Sequence, residues 1–177
     1  MHDSAVVAAP HAPQWLSPQF DDVPVLLRDR PHWVLWRAEP KGARWTKVPY
    51  QPSGKRASST DPRTWNTFDA CRAAYERGGF TGIGFVLDGQ PVNGMTLIGI
   101  DVDKLKSATV QIPTLHTLLA ATYSESSPSG TGTRAFVLAD EAVTRKLDAR
   151  DGWPGVEVYT NSRYLTVTGH GSGTIAH

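Results

Sequence analysis

Apolar positions along the chain come in short runs broken by polar turns, the signature of several strands with a few helices between them. Residues 23–27 and 32–37 are two such runs, and the second, His-Trp-Val-Leu-Trp-Arg, is aromatic-rich and reads as a strand. Residues 45–50 are placed to pair with it across the Pro40-Lys41-Gly42 turn, which leaves residues 51–61, rich in Ser, Gly and Lys, as a surface loop. A helical pattern follows: Thr64 is suited to the N-cap, Trp65, Phe68, Cys71 and Tyr75 recur on one stripe, and Gly78-Gly79 supplies the stop. Residues 82–87 and 96–102 read as two antiparallel strands joined by a loop that carries Asp88-Gly89 and Asn93-Gly94. Beyond them the pattern predicts a helix over 114–121 with Leu115, Leu118 and Leu119 inward, and strands over 134–138, 156–159 and 164–168. A short helix is expected near 141–147. The sum is an α+β domain with a largely antiparallel central sheet and flanking helices.

At 177 residues and 19.3 kDa the chain has room for one domain and not two full ones. We expect residues 1–22 to be a flexible leader and residues 23–177 the domain. The single Cys71 excludes an internal disulfide and a multi-cysteine zinc site, its position on the helical stripe marks it as core, and a reducing cytoplasm is the natural compartment. No apolar run approaches the roughly 20 residues that span a bilayer, and the first residues lack the pattern of a secretory signal. The formal net charge is +1, but it is unevenly spread: residues 28–77 hold 11 basic and 5 acidic side chains, while the rest of the chain is acid-rich. That split suits an anionic ligand held beside a carboxylate site, and equally an ordinary solvated surface.

Three segments carry candidate chemistry. In Ile100-Asp-Val-Asp103, two carboxylates at i and i+2 of a strand project to one face, about 7 Å apart along the chain. Like charges held together call for a cation, and hard oxygen ligands select Mg²⁺ or Mn²⁺; the alternative is a strand ending in solvated acids. Glu125-Ser-Ser-Pro-Ser-Gly-Thr-Gly-Thr-Arg134 has the small residues that let backbone N–H groups converge on an anion, with the Arg134 fork beside them. It is not a P-loop, because the Gly-Lys-Ser/Thr ending is missing. In the third segment Glu157 is set to complete a carboxylate trio, and Arg163 and His170 are candidates for phosphate contacts. A metal-dependent nuclease is a competing reading, weakened because the frequent lysine two residues after the acid is Tyr159 here.

Taken in order, Trp33-Val-Leu-Trp36, Lys47-Val-Pro-Tyr50, Ser59-Thr-Asp-Pro-Arg-Thr-Trp65, Gly82-Ile-Gly-Phe85, Ile100-Asp-Val-Asp103, Ser127-Pro-Ser-Gly-Thr-Gly132 and Glu157-Val-Tyr159 through Thr168-Gly169 resemble the archaeo-eukaryotic primase superfamily. The likeness is to the primase-polymerase domains of phages, plasmids and other mobile elements. It implies an RRM-like palm as catalytic core, a two-metal site of Mg²⁺ or Mn²⁺ on Asp101, Asp103 and Glu157, and DNA primase and polymerase activity in replication. It also implies a triphosphate cradle of Ser127, Ser129, Gly130, Thr131, Gly132 and Arg134, joined by Arg163 and His170. Arg134 stands where many members carry histidine, so a neutral donor or proton exchange is lost there. Lys41, Arg44, Lys47, Lys55 and Arg56 would follow a single-stranded DNA template. Trp33, Trp36, Trp45 and Trp65 are candidates for stacking on bases, with the hydrophobic core as their alternative fate. In this family a helicase domain often follows the catalytic core. The other reading of the same fold is a DNA-binding module of a replication initiator with weak or lost catalysis.

Overall fold

The computed structural model describes residues 13–177. Its strands are β1 (Trp33–Lys41), β2 (Arg44–Tyr50), β3 (Gly82–Asp88), β4 (Pro91–Val92), β5 (Met95–Asp103), β6 (Ser124–Ser126), β7 (Thr133–Ala139), β8 (Arg145–Leu147), β9 (Gly155–Tyr159), β10 (Asn161–Val167) and β11 (Gly171–Ser172). Three α-helices accompany them: α1 (Val25–Arg28), α2 (Phe68–Glu76) and α3 (Pro113–Ala121). The class is α+β, but the expected single central sheet is two sheets. One has the order β10-β3-β1-β2; the other runs β11-β6-β7-β5-β9-β8, with β4 beside β5, and the neighbours in both are antiparallel.

The two sheets pack face to face. Alternation in the first puts Trp33, Leu35, Ile83, Phe85, Leu87 and Leu165 into a core that also takes Leu97, Phe136 and Leu138 from the second. Phe85 meets Phe136 edge-on with ring centroids 6.1 Å apart. Gly99 marks the closest approach: a Cβ there would lie 2.5 Å from a Leu165 methyl and 2.8 Å from one of Leu87, so only hydrogen lets the sheets meet. On β5 the even positions Ile98, Ile100 and Val102 turn the other way and are covered by Leu115 and Leu119 of α3.

Several expectations need correction. β3 and β5 do not pair with each other; they belong to different sheets, because β3 is taken by β1 and β10 and β5 by β7 and β9. The helix expected near 141–147 is absent: residues 145–147 form β8, whose side chains are exposed and which pairs with β9 as an edge strand. α2 is capped by Thr67, whose hydroxyl accepts from Ala70 N–H, whereas Thr64 ends a 3-10 turn that follows Asp61 and Trp65 precedes the helix. Leu118 is 37% exposed, because the apolar stripe of α3 is the narrower Leu115–Leu119 pair. Cys71 is core as expected, and burial pushes its thiol up to about 12. Of the expected leader, residues 1–12 lie outside the described residues. Residues 13–22 pack on the domain: Trp15 meets Trp36 edge-on, and Leu16 N–H donates to the Pro128 carbonyl. Among the described residues, no helix is long and apolar enough to cross a membrane.

One buried carboxylate ties the sheets together. Glu125 on β6 accepts from the backbone N–H groups of Thr168 and Gly169, at 2.9 and 2.8 Å, and from the Tyr123 hydroxyl at 2.7 Å. These bonds fix the end of β10 to the second sheet, and burial raises the Glu125 pKa against them. Glu125→Ala would strand two buried amide donors, so we expect a loss of roughly 3 kcal/mol in unfolding free energy by urea titration. Glu125→Gln, which keeps an acceptor, should lose less; equal losses would mean the contact acts only through packing.

Candidate active site

Register on the second sheet aligns the chemistry. Arg134 on β7 is directly opposite Asp101 on β5, and Asp101 is directly opposite Glu157 on β9. The row extends both ways, to Glu125 opposite Arg134 on β6 and to Lys146 opposite Glu157 on β8. Directly opposed residues share a face and strands lie about 4.8 Å apart, so five strands contribute one continuous line of charge: Glu125, Arg134, Asp101, Glu157, Lys146. Asp103 stands two residues beyond Asp101 on the same face, opposite Gly155. This is the face that carries Leu97 and Gly99 into the core, so the row begins where the apolar packing ends.

Each charge is engaged. Arg134, 5% exposed, donates through Nη2 to Asp101 Oδ2 at 3.2 Å and through Nη1 to the Thr166 hydroxyl. Glu157 meets Lys146 Nζ at 3.1 Å and Arg163 Nη2 at 3.7 Å, and accepts from the Tyr159 hydroxyl. Burial works to raise the Glu157 pKa, but Tyr159, Lys146 and Arg163 outweigh it and hold the carboxyl below the ordinary range. Burial, then the bond to Glu157, lifts Tyr159 to about 12. Asp103 shifts up, first by desolvation and then by the charge of Asp101. Two buried polar atoms in the row have no hydrogen-bond partner: Asp101 Oδ1 and Arg134 Nε.

A cleft of about 460 Å³ opens beside this row. From the first sheet it is lined by Trp45, Lys47 and Pro49 of β2 and by Tyr164 and Thr166 of β10; from the second, by Asp101 and Arg134. Lys47 was expected to follow a template backbone at the surface. Instead its ammonium is drawn into the cleft, where burial and then the charge of Arg134 lower its pKa to about 8 while Asp101 and Asp103 pull the other way. The Tyr164 hydroxyl holds the Lys47 carbonyl, which fixes the β2 backbone over β10. On the far side of the row, Asp103 and Glu157 line a cleft of about 330 Å³ with Thr131 and Lys104.

The expected site residues divide. Asp101, Asp103, Glu157, Arg134, Arg163 and Thr131 come together around these two clefts. Ser127 and Ser129 share one turn with them, but its amides close on the turn itself: Gly130 N–H donates to the Ser127 carbonyl at 2.8 Å and Gly132 N–H to Ser127 Oγ at 3.0 Å. Gly130 has φ 73°, and a Cβ on Gly132 would strike the Val102 carbonyl, so glycine is needed for the turn and its packing on β5. The anion cradle read from Gly130 and Gly132 is therefore a correction, since those two donors are spent. His170 is another: its ring is held 2.7 Å from the Ser17 carbonyl and lines neither cleft. Lys41, Arg44 and Lys55 are exposed, whereas Arg56 is paired with Glu39 at 2.9 Å and stacked on Tyr50. Trp33 and Trp36 are fully buried and Trp45 and Trp65 half-buried, so the first two are core. Sequence reasoning missed Lys146, Tyr159, Thr166 and the structural weight of Glu125; alternation within their short strands was the available signal, and register was needed to use it.

The trio's fit to a divalent cation is mixed. Among the described residues, no three His, Cys, Asp or Glu side chains are drawn together closely enough to hold an ion, because Asp101 and Glu157 are each turned onto protein cations. The donor set is nonetheless all hard oxygen, two carboxylates stand directly opposed, and Asp101 Oδ1 is left without a partner. These features fit an ion that displaces the Arg134 and Lys146 contacts.

No protein-family model matches the chain. Over 144 residues it is 37% identical to a DNA primase-polymerase of Nitratiruptor phage NrS-1, a match covering 77% of the chain. The chain spans about a fifth of that relative's length, 19%. With the motifs in order and this identity across most of its length, the chain belongs to the primase-polymerase family.

Proposed function

We propose that this domain performs metal-dependent, template-directed nucleotidyl transfer as the DNA primase and polymerase module of a replication protein, the second sheet serving as its palm. The observation that carries the reading is the row of Arg134, Asp101 and Glu157 in strict register beside a cationic cleft. Asp101, Asp103 and Glu157 would hold Mg²⁺ or Mn²⁺, which when bound would activate an attacking hydroxyl and neutralise charge on the phosphates. Arg134 and Lys47 line the cleft from opposite sheets and offer positive charge to a triphosphate. Arg163, stacked on Tyr159 with its guanidinium 4.8 Å from the ring centre, is held beside Glu157 and adds a third cation. Thr166, bonded to Arg134 through its hydroxyl, positions the guanidinium in the cleft. The exposed Lys41, Arg44 and Lys55 are the template-facing cations, and the substrates are single-stranded DNA and (deoxy)nucleoside triphosphates. In a longer protein a helicase domain would be the natural companion.

A second reading, a DNA-binding module without catalysis, is favoured by the ion pairs that already neutralise Asp101 and Glu157. Primer extension separates the two. With single-stranded template, primer, nucleotides and Mn²⁺, the wild type should extend, and Asp101→Asn or Asp103→Asn should lower the rate at least 100-fold with template affinity kept. Extension by either variant at the wild-type rate would remove that residue from the site; binding without any extension by the wild type would establish the second reading.

Template contact is tested by salt. Replacing Lys41, Arg44 and Lys55 together with alanine should reduce the slope of log affinity against log salt by about 2 for single strands. An unchanged slope would move the template elsewhere.

A further inference from the structure

A second cleft, of about 470 Å³, opens onto the catalytic one. Ser59 and Ser162 line both, and the border between them is a hydrogen bond from the Ser59 hydroxyl to the Ser162 carbonyl at 3.1 Å. The border is built by an irregularity. β10 departs from its register with β3 between Asn161 and Arg163, and Ser162, the extra residue, has φ 55°. A bulge of this kind re-aims side chains beside sites. Here Arg163 turns toward Glu157 in the catalytic region while Ser162 opens toward the second cleft.

The chemistry of the two clefts differs sharply. The first is lined by Lys47, Arg134 and Arg163. The second has neither lysine nor arginine in its lining; its walls are Trp65, His32, Pro31 and Pro62, with the Asp88 carboxylate beside His32 and Thr60 and Gln90 at the exposed rim. Trp65 is fixed there by its indole N–H on the Ser58 carbonyl at 2.7 Å and by the His32 ring, edge-on at 5.2 Å. His32 brings no firm charge, because burial holds its pKa below the ordinary imidazole value although Asp88 lies 3.5 Å away. A cationic pocket joined to an aromatic one that holds no cation matches a ligand with an anionic end and a flat uncharged end. A nucleoside triphosphate has that division.

We propose that the second cleft is the base subsite of the nucleotide whose phosphates occupy the catalytic cleft, with Trp65 as the stacking wall and the Ser59–Ser162 border beside the sugar. The inference rests on the nucleotidyl-transfer reading above. Stacking grips the π-face shared by all bases, so it holds a nucleotide without choosing among the four, which leaves the choice to the template.

The test compares two ligands by isothermal titration calorimetry with Mg²⁺ present: deoxyadenosine triphosphate and the abasic deoxyribose 5′-triphosphate. Wild type should bind the first about tenfold more tightly. Trp65→Ala should bring the first down to the second and leave the second unchanged. A separate variant guards against misfolding: Thr60→Cys introduces a thiol at the exposed rim, and the buried Cys71 leaves it the reactive one. The unlabelled variant is its own reference: after reaction with N-ethylmaleimide it should lose the preference for the base that it shows before labelling and keep its abasic affinity. Equal binding of the two ligands by wild type, or a preference that survives both Trp65→Ala and the maleimide block, overturns the base subsite alone. If neither triphosphate binds, the nucleotide reading of the catalytic cleft fails and the subsite with it.

Discussion

Asp101 occupies an inward position of a β-sheet directly after Gly99, where the alternation that buries Leu97 would otherwise continue with an apolar side chain. A carboxylate there is costly unless positive charge meets it. Register supplies that charge: the neighbour on β7 is Arg134, itself steadied by Thr166 and by the field of Glu125. On the other side the neighbour is Glu157, which repeats the problem and answers it with Lys146 and Arg163. The row therefore stands by itself as a chain of opposite charges. Its weakest step is the direct opposition of Asp101 and Glu157, and that is the step a divalent cation would relieve.

The rest of the architecture keeps this row open. Ile98, Ile100 and Val102 anchor β5 to α3 from behind, so the carboxylate strand is held by packing that the site does not use. Gly99 lets Leu87 and Leu165 close the core immediately beside it. Beyond that point β10 stays tied to the second sheet through Thr166 on Arg134 and through its end on Glu125, and Lys47 and Arg134 line the cleft from opposite sheets. Fold and site share one interaction: Glu125 holds β10 in place through Thr168 and Gly169, and its charge lies next to Arg134 in the row.

Much of this was legible in the sequence because it is local. Short apolar runs bounded by turns located β1, β2, β7, β9 and β10, and the spacing of Asp101 and Asp103 put them on one face before any partner strand was known. Partnership was not legible. Consecutive strands usually pair, so β3 and β5 were expected together, yet β5 takes only the two-residue β4 from nearby and the long strands that flank β3 and β5 come from far away in sequence. The edge strand β8 escaped because its Arg-Lys-Leu run, exposed throughout, lacks an apolar alternation. Gly130 and Gly132 looked like ligand donors because a turn that closes on its own Ser127 has the same composition as one that opens to an anion. Lys47 looked like a surface charge because nothing in its strand says that Tyr164 and Arg134 will cover it.

Asp101 is the proposed cation-binding centre of the row. Electron paramagnetic resonance of Mn²⁺ titrated into the protein with a nonhydrolysable nucleotide tests this directly. Bound Mn²⁺ in the wild type, lost in Asp101→Asn and kept in Ser129→Ala, is the predicted result; Mn²⁺ bound equally well by Asp101→Asn would contradict it.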